Sequence, residues 1–346
     1  MKNTLVTKIL INENSEAYGV EVEKGGKKMT FYSSKEVILS AGSVSSPQLL
    51  MLSGVGPKKH LQSKDIPCKV DSPMVGQNLQ DHALVPITIY GDSPAQLSIR
   101  EILVNVKDYL FKREGILAQS SLITDAAAFF STIDNASYPN IQNHVTVVNK
   151  NNILLRSNLG ITFRYNDTVL DSIVDLNKDY AAYVFETILL HPYSRGNITL
   201  SSNNPKDHPL IHANYFEDTR DLDIAVAGIK MATKILETEY FESINGFLGR
   251  MDVPECNQYE LDSDDYWICI CTNLVSSMFH PVGTCQMGSD ISISVVDSRL
   301  KVHGVKDLRV IDAGVMPSTI SGNINAPCIM IGERGAELIK EDYNQV

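Results

Sequence analysis

The sequence predicts a mixed α/β (α+β) chain that opens in strands and a helix and carries a second domain on an antiparallel sheet in its middle. Three observations carry this reading. The opening residues alternate in strand fashion and lead into a strand, a glycine turn and a helix, EVILSAG then SSPQLLMLS. Near Ala83 the texture changes to longer polar and aromatic stretches. After Trp267 the chain becomes rich in Gly, Pro and small residues and ends in a strand and a helix.

Taken in order, residues 5–12 and 18–23 read as two strands of a hairpin around ENSEA, and Gly25 and Gly26 turn the chain into a third. Residues 36–41, EVILSA, form a short buried strand. Ser46-Pro47 is the expected N-cap and first position of the helix PQLLMLS, which Gly54 and Gly56 close. Within 83–215, HVTVV, GITFRY and NITLSS have the alternation of strands. Residues 218–242 have helical periodicity, with Leu222, Val226, Ile229 and Leu236 on one face. The strand LRVID, the loop MPSTISGNIN and a helix from about Ala326 finish the chain. A chain that opens inside a sheet is expected to be a truncated form of a longer protein.

Composition narrows the function. With 346 residues, 43% of them hydrophobic, there is apolar material for one large domain or two ordinary ones. A formal charge of −11 repels phosphate backbones and disfavours nucleic acid or an anionic membrane as partner. No apolar run approaches the roughly 20 residues of a membrane span, and the first residues lack a signal-peptide core. A small neutral ligand fits better. Cys68, Cys256, Cys269, Cys271, Cys285 and Cys328 show no paired CxxC spacing and no accompanying His cluster, so they read as buried thiols and no metal site is expected. Asn135, Asn166 and Asn197 stand in N-x-S/T triplets, usable only in a secreted protein.

Several segments share an unusual composition: GSVSSPQLLMLSGVGP (42–57), VGQNLQDH (75–82), HPYSRGNITLSS (191–202), FHPVGTCQMG (279–288), VVDSRLKVHGVKDLRVIDAGVMP (295–317) and SGNINAPCIMIGERGAELI (321–339). In this order they resemble the glucose-methanol-choline (GMC) oxidoreductases. The blocks look closer to the choline and glucose dehydrogenase-like members than to the fungal glucose oxidases. The resemblance implies a partial FAD-binding Rossmann-like domain from residues 1–82 and 275–346, and a substrate-binding domain with an antiparallel sheet from 83–274. It also implies FAD-dependent oxidation of an alcohol or sugar CH–OH group to a carbonyl, with a quinone or oxygen as electron acceptor. Chemistry agrees on the need for a cofactor: the oxidation removes a proton from oxygen and a hydride from carbon, and no side chain accepts hydride.

His280 precedes Pro281 and is followed by Gly283, on a constrained loop, and an imidazole titrating near neutrality suits a general base. The resemblance makes it the catalytic base, whereas on its own it also reads as a histidine packed in a turn. The family's partner position falls on Asn323, whose amide can donate a hydrogen bond to the substrate oxygen but cannot exchange protons. Beside Gly322, Asn323 reads equally as a turn residue. Positions that match cofactor contacts of the family are Asp312, Ala313, Asn323 and Asn325, with Val6 opposite the adenine and Gly42 and Asn78 as further candidates. Val6 also reads as an ordinary strand residue. Asn325 is the expected N-cap of the last helix, whose positive end would favour the negative charge of a reduced flavin.

The sequence departs from the family in one respect. A GxGxxG turn between strand and helix, which holds the dinucleotide pyrophosphate, is missing, and SGVGPKK and MGSDIS are poor substitutes. The polypeptide alone is therefore expected to bind flavin weakly. A non-catalytic fragment that serves only as a binding or structural domain is the alternative class. A Ser-His hydrolase would need a nucleophile elbow such as G-x-S-x-G, which is absent.

Overall fold

The opening residues fold into an antiparallel meander of β1 (Leu5–Ile11), β2 (Ala17–Lys24) and β3 (Lys27–Tyr32), in which β1 and β2 alternate in burial and β3 is a largely exposed edge. Ile9, Ile11 and Val22 point into the core, and Gly25 and Gly26, both at positive φ, make the second turn. These elements belong to a computed structural model that describes residues 1–92, 99–115, 118 and 126–344. The chain divides into two units, one made of Met1–His82, His191–Asp218 and Phe279–Val346, the other of Ala83–Leu190 and Thr219–Met278.

In the first unit, β4 (Val37–Leu39) pairs in parallel with the strand Leu308–Val310, so EVILSA and LRVID lie side by side. Helix α1 (Gly42–Leu52) follows at once. It begins five residues before the start at Pro47 expected from sequence, with Ala41 rather than Ser46 in the N-cap position, and the difference has a visible cause. Pro47 inside a helix removes the N–H that would bond the Ser43 carbonyl; the hydroxyl of Thr284 donates to that carbonyl instead, at 2.6 Å. Leu50 and Met51 of α1 pack with Ile9, Val55, Leu61, Val310 and Val315 into one core.

Residues 191–218, assigned from sequence to the central domain, lie in the first unit. Their backbone supplies the reason: Leu79 and Gly196 exchange two hydrogen bonds, and the N–H of Ile198 donates to Gly76 at 2.7 Å. The strand Asn197–Thr199 then pairs with Leu210–His212. The last helix, Asn325–Asp342, corrects the expected cap. Ile324 occupies the N-cap position, no side chain caps the helix, and Asn325 is its first residue. Pro327 falls in the first turn, where no N–H is needed.

The second unit is built on a sheet of β5 (Ala83–Gly91), β6 (Ala126–Phe130), β7 (Ile141–Val148) and β8 (Ala181–Leu189), in the order β5-β8-β7-β6, with Phe247–Leu248 and Ser276–Ser277 both on β5. All pairings are antiparallel. Ala83–Gly91 is buried throughout, which its run of apolar residues anticipates. HVTVV lies within β7, but GITFRY is not a strand. Its first four residues end the helix Leu155–Phe163, which buries Leu155 and Leu159, and Arg164 in the left-handed region stops it. The i,i+4 leucine pair outweighs the β preference of Ile161 and Thr162. The helix Thr219–Thr233 carries the expected buried face through Val226 and Ile229.

Cysteine usage is also corrected. Cys256 and Cys269 form a disulfide, joining a short helical turn (Pro254–Cys256) to the helix Asp264–Leu274. Cys269 and Cys271 are about 200° apart around that helix, so only one can reach Cys256, and Cys271 stays a buried thiol. Among the described residues no helix is long and apolar enough to cross a membrane.

Candidate active site

Two clusters in the first unit hold most of the residues singled out from sequence. The first is centred on His280. Gln80 and Val282 form a two-way backbone bridge, and the N–H of Gly283 donates to Ala313, so the HPVGT loop is strapped between two other segments. Gly283 has a φ of +91° and an added Cβ would strike the Asn78 carbonyl, so no other residue fits there without strain. The backbone N–H of His280 donates to Asp81 Oδ1 at 2.9 Å, and the hydroxyl of Tyr215 donates to Asp81 Oδ2 at 2.5 Å. The carboxylate thereby fixes the main chain on which the imidazole is mounted.

The imidazole is buried and faces a different partner on each nitrogen. His280 Nε2 lies 3.4 Å from Asn323 Nδ2, so residues 43 apart in sequence meet as the motif comparison implied. His280 Nδ1 lies 2.9 Å from Nδ1 of His82, with the two rings at 88°. Asn323 itself is exposed, on the loop that opens the last helix. Nearby, His191 Nε2 and Ser321 Oγ are 2.7 Å apart, and burial pushes the His191 imidazole below its ordinary pKa, which favours the neutral ring. His82, Asp81 and Tyr215 were not selected from sequence. The signal available was the VGQNLQDH block, which contains two of them, but nothing in a run of polar residues indicates which side chains converge.

The second cluster is centred on Asp312. Its Oδ2 accepts the N–H of Gly42 at 3.0 Å and the hydroxyl of Ser46 at 2.6 Å, while Oδ1 accepts the N–H of Gly314 at 2.8 Å. Burial raises this carboxyl above its ordinary pKa, against the hydrogen bonds, which favour the charged form. Gly42, Asp312 and Ala313 thus come together where β4 meets α1. Asn78 and Asn325 stand apart from this cluster. Asn78, at a φ of +60°, is tied to Gln286, Pro317 and Arg195, and Asn325 is exposed in the first turn of the last helix.

Part of a dinucleotide fits these residues. Val6 lines an open cavity of about 470 Å³ with Leu39, Ser40, Ala41 and Ser45, apolar walls with two hydroxyls, as an adenosine moiety requires. Gly42 opens onto space that a Cβ would enter without meeting any atom, so a ligand can approach its backbone closely. The last helix begins with the exposed Asn325 and Ala326, and no side chain caps it.

The second unit contains a cavity of its own, of about 350 Å³, walled by Val148, Leu155, Leu159, Phe163 and Val184, with Glu186 among its lining residues. The Glu186 carboxylate lies 3.7 Å from His144 Nδ1, and His144 Nε2 lies 2.7 Å from Gln142 Nε2.

Comparison with known proteins agrees with the sequence blocks. Family models described as GMC oxidoreductase match residues 1–84 and 192–332. The chain is 40% identical over 346 residues to ecdysone oxidase of Bombyx mori, covering 99% of this chain and 50% of that protein. It is 34% identical to glucose dehydrogenase (FAD, quinone) of Drosophila pseudoobscura pseudoobscura, covering 99% and 53%. It therefore spans about half the length of these relatives. A formate oxidase from Aspergillus oryzae superposes with a TM-score of 0.80 at 25% identity, over 99% of this chain and 60% of that one. FAD is the cofactor that these names carry. The strand-turn-helix clamped by Asp312, the HPVGT loop and the matched models lead to one assignment: the chain belongs to the GMC oxidoreductase family.

Proposed function

We propose that the protein oxidises an alcohol CH–OH group to a carbonyl, with His280 Nε2 receiving the hydroxyl proton. The observation that carries this reading is the environment of that nitrogen, 3.4 Å from a carboxamide that cannot exchange protons. Of these two groups only the imidazole can take up a proton that leaves the substrate there. Bound FAD supplies the hydride acceptor that the side chains lack. Asn323 orients the substrate oxygen through its amide hydrogens and favours the charge that develops on it. Asp81 and Tyr215 hold the loop so that the imidazole does not have to be ordered during the reaction.

For the substrate, we favour an alcohol on a largely apolar skeleton over a free sugar. The relative named ecdysone oxidase, 40% identical over 346 residues, supports this. The flavin-loaded protein, assayed by dye reduction, should turn over steroid alcohols at a higher kcat/KM than glucose or short primary alcohols. A clear preference for glucose would contradict the substrate class, and no turnover with any alcohol would contradict the activity.

A further inference from the structure

We propose that His82 is a positioning residue that sets the tautomer of His280, keeping the proton on Nδ1 and leaving Nε2 as the proton-accepting nitrogen; the inference rests on the function proposed above. The two Nδ1 atoms are 2.9 Å apart and both rings are buried. Two bare nitrogens at that distance would oppose their lone pairs, and two protonated ones would collide, so one proton lies between them. Asn323 decides where it sits. Its Nδ2 carries only donor hydrogens and faces His280 Nε2, so Nε2 presents its lone pair and the ring's proton is on Nδ1. His82 Nδ1 is then the acceptor, and the neutral His82 ring carries its own proton on Nε2.

The arrangement has a consequence for the reaction. When the substrate hydroxyl proton transfers to His280 Nε2, the O–H bond breaks, an N–H bond forms and the ring becomes imidazolium. The Nδ1–H bond to His82 becomes charge-assisted at that moment and strengthens. A neutral imidazole does here what a carboxylate does in hydrolytic triads: it fixes the tautomer and favours the cation. A carboxylate at this point would bind a proton to His280 before substrate arrived, whereas an imidazole leaves the base neutral until it is used. The clamp is compact, since consecutive residues hold the same histidine: Asp81 takes its backbone N–H and His82 its ring.

The test reads the tautomer without turnover. In the 346-residue chain labelled with ¹⁵N-histidine, two-bond ¹H–¹⁵N spectra assigned with His280→Ala should show Nδ1 of His280 protonated and Nε2 bare. His82→Leu should shift His280 toward the Nε2–H form usual in water, and His82→Asn, whose carboxamide oxygen can accept the same hydrogen bond, should restore the Nδ1–H form. In the flavin-loaded enzyme His82→Leu should lower kcat on the order of 10²-fold, with KM little changed and His82→Asn partly recovered. A proton on Nε2 in the wild-type chain overturns the proposal even if His82→Leu does not fold, and so does a tautomer indifferent to His82. If the tautomer follows His82 but His280→Ala keeps full activity, the positioning stands and the reading of His280 as base fails.

Discussion

The first unit uses a hydrogen-bonded aspartate twice, and the two uses differ in what they hold. Asp312 accepts the N–H of Gly42 and the hydroxyl of Ser46 from the strand-turn-helix frame and the N–H of Gly314 from its own turn, and these partners have no chemistry of their own. Asp81 accepts one backbone N–H and one hydroxyl, but the N–H belongs to His280, whose ring meets an imidazole and an amide. A carboxylate that accepts two or three hydrogen bonds is a structural device in both places. Only the second sits one residue from groups that can move a proton, so removing it should disturb rate more than stability, and the first the reverse.

The largest expected separation comes from replacing the two aspartates in turn. Asp81→Asn in the flavin-loaded protein should lower kcat by about 10-fold to 10²-fold through loss of loop position, with a modest change in Tm. Asp312→Ala should cost about 3 kcal/mol of stability by leaving buried donors unpaired. Denaturant titration and steady-state kinetics on both variants would break the comparison if the assignments came out exchanged. Asn323→Ala should lower kcat by about 10²-fold or less, and a loss greater than that of His280→Ala would exchange their roles. The smallest effect concerns pH. The folded-state pKa of Asp312 is raised by burial, so its contribution to stability is fully present below the unfolded value and is lost as pH rises through the folded one. The Tm gap between wild type and Asp312→Ala should therefore widen on going from neutral to mildly acidic pH; a gap that narrows would place the folded pKa below the ordinary value.

Much of the frame was legible in the sequence. Alternation with paired glycines marked the meander, and the short apolar runs EVIL and LRV marked two strands, although the first, expected to be buried, buries only Leu39 while all three residues of LRV are buried. The meeting of His280 with Asn323 followed from the motifs alone. What escaped were features that depend on distant partners. Helix α1 starts at Gly42 because Thr284, far along the chain, satisfies the carbonyl that Pro47 orphans. GITFRY is helical because Leu155 and Leu159 find a core that no local pattern records. The Cys256–Cys269 disulfide was hidden behind the more conspicuous C-x-C. His82 was missed beside Asn78 for a related reason: in VGQNLQDH the left-handed Asn78 has a turn signature, whereas a histidine that meets another histidine has none.

The most direct test of proton transfer to His280 is the rate at which the flavin absorbance is lost when the flavin-loaded protein is mixed, without oxygen, with saturating alcohol. Replacing His280 by Ala should slow that single turnover by about 10² to 10⁴-fold while leaving the flavin bound. Equal rates for the two proteins would mean that the hydroxyl proton leaves by another route.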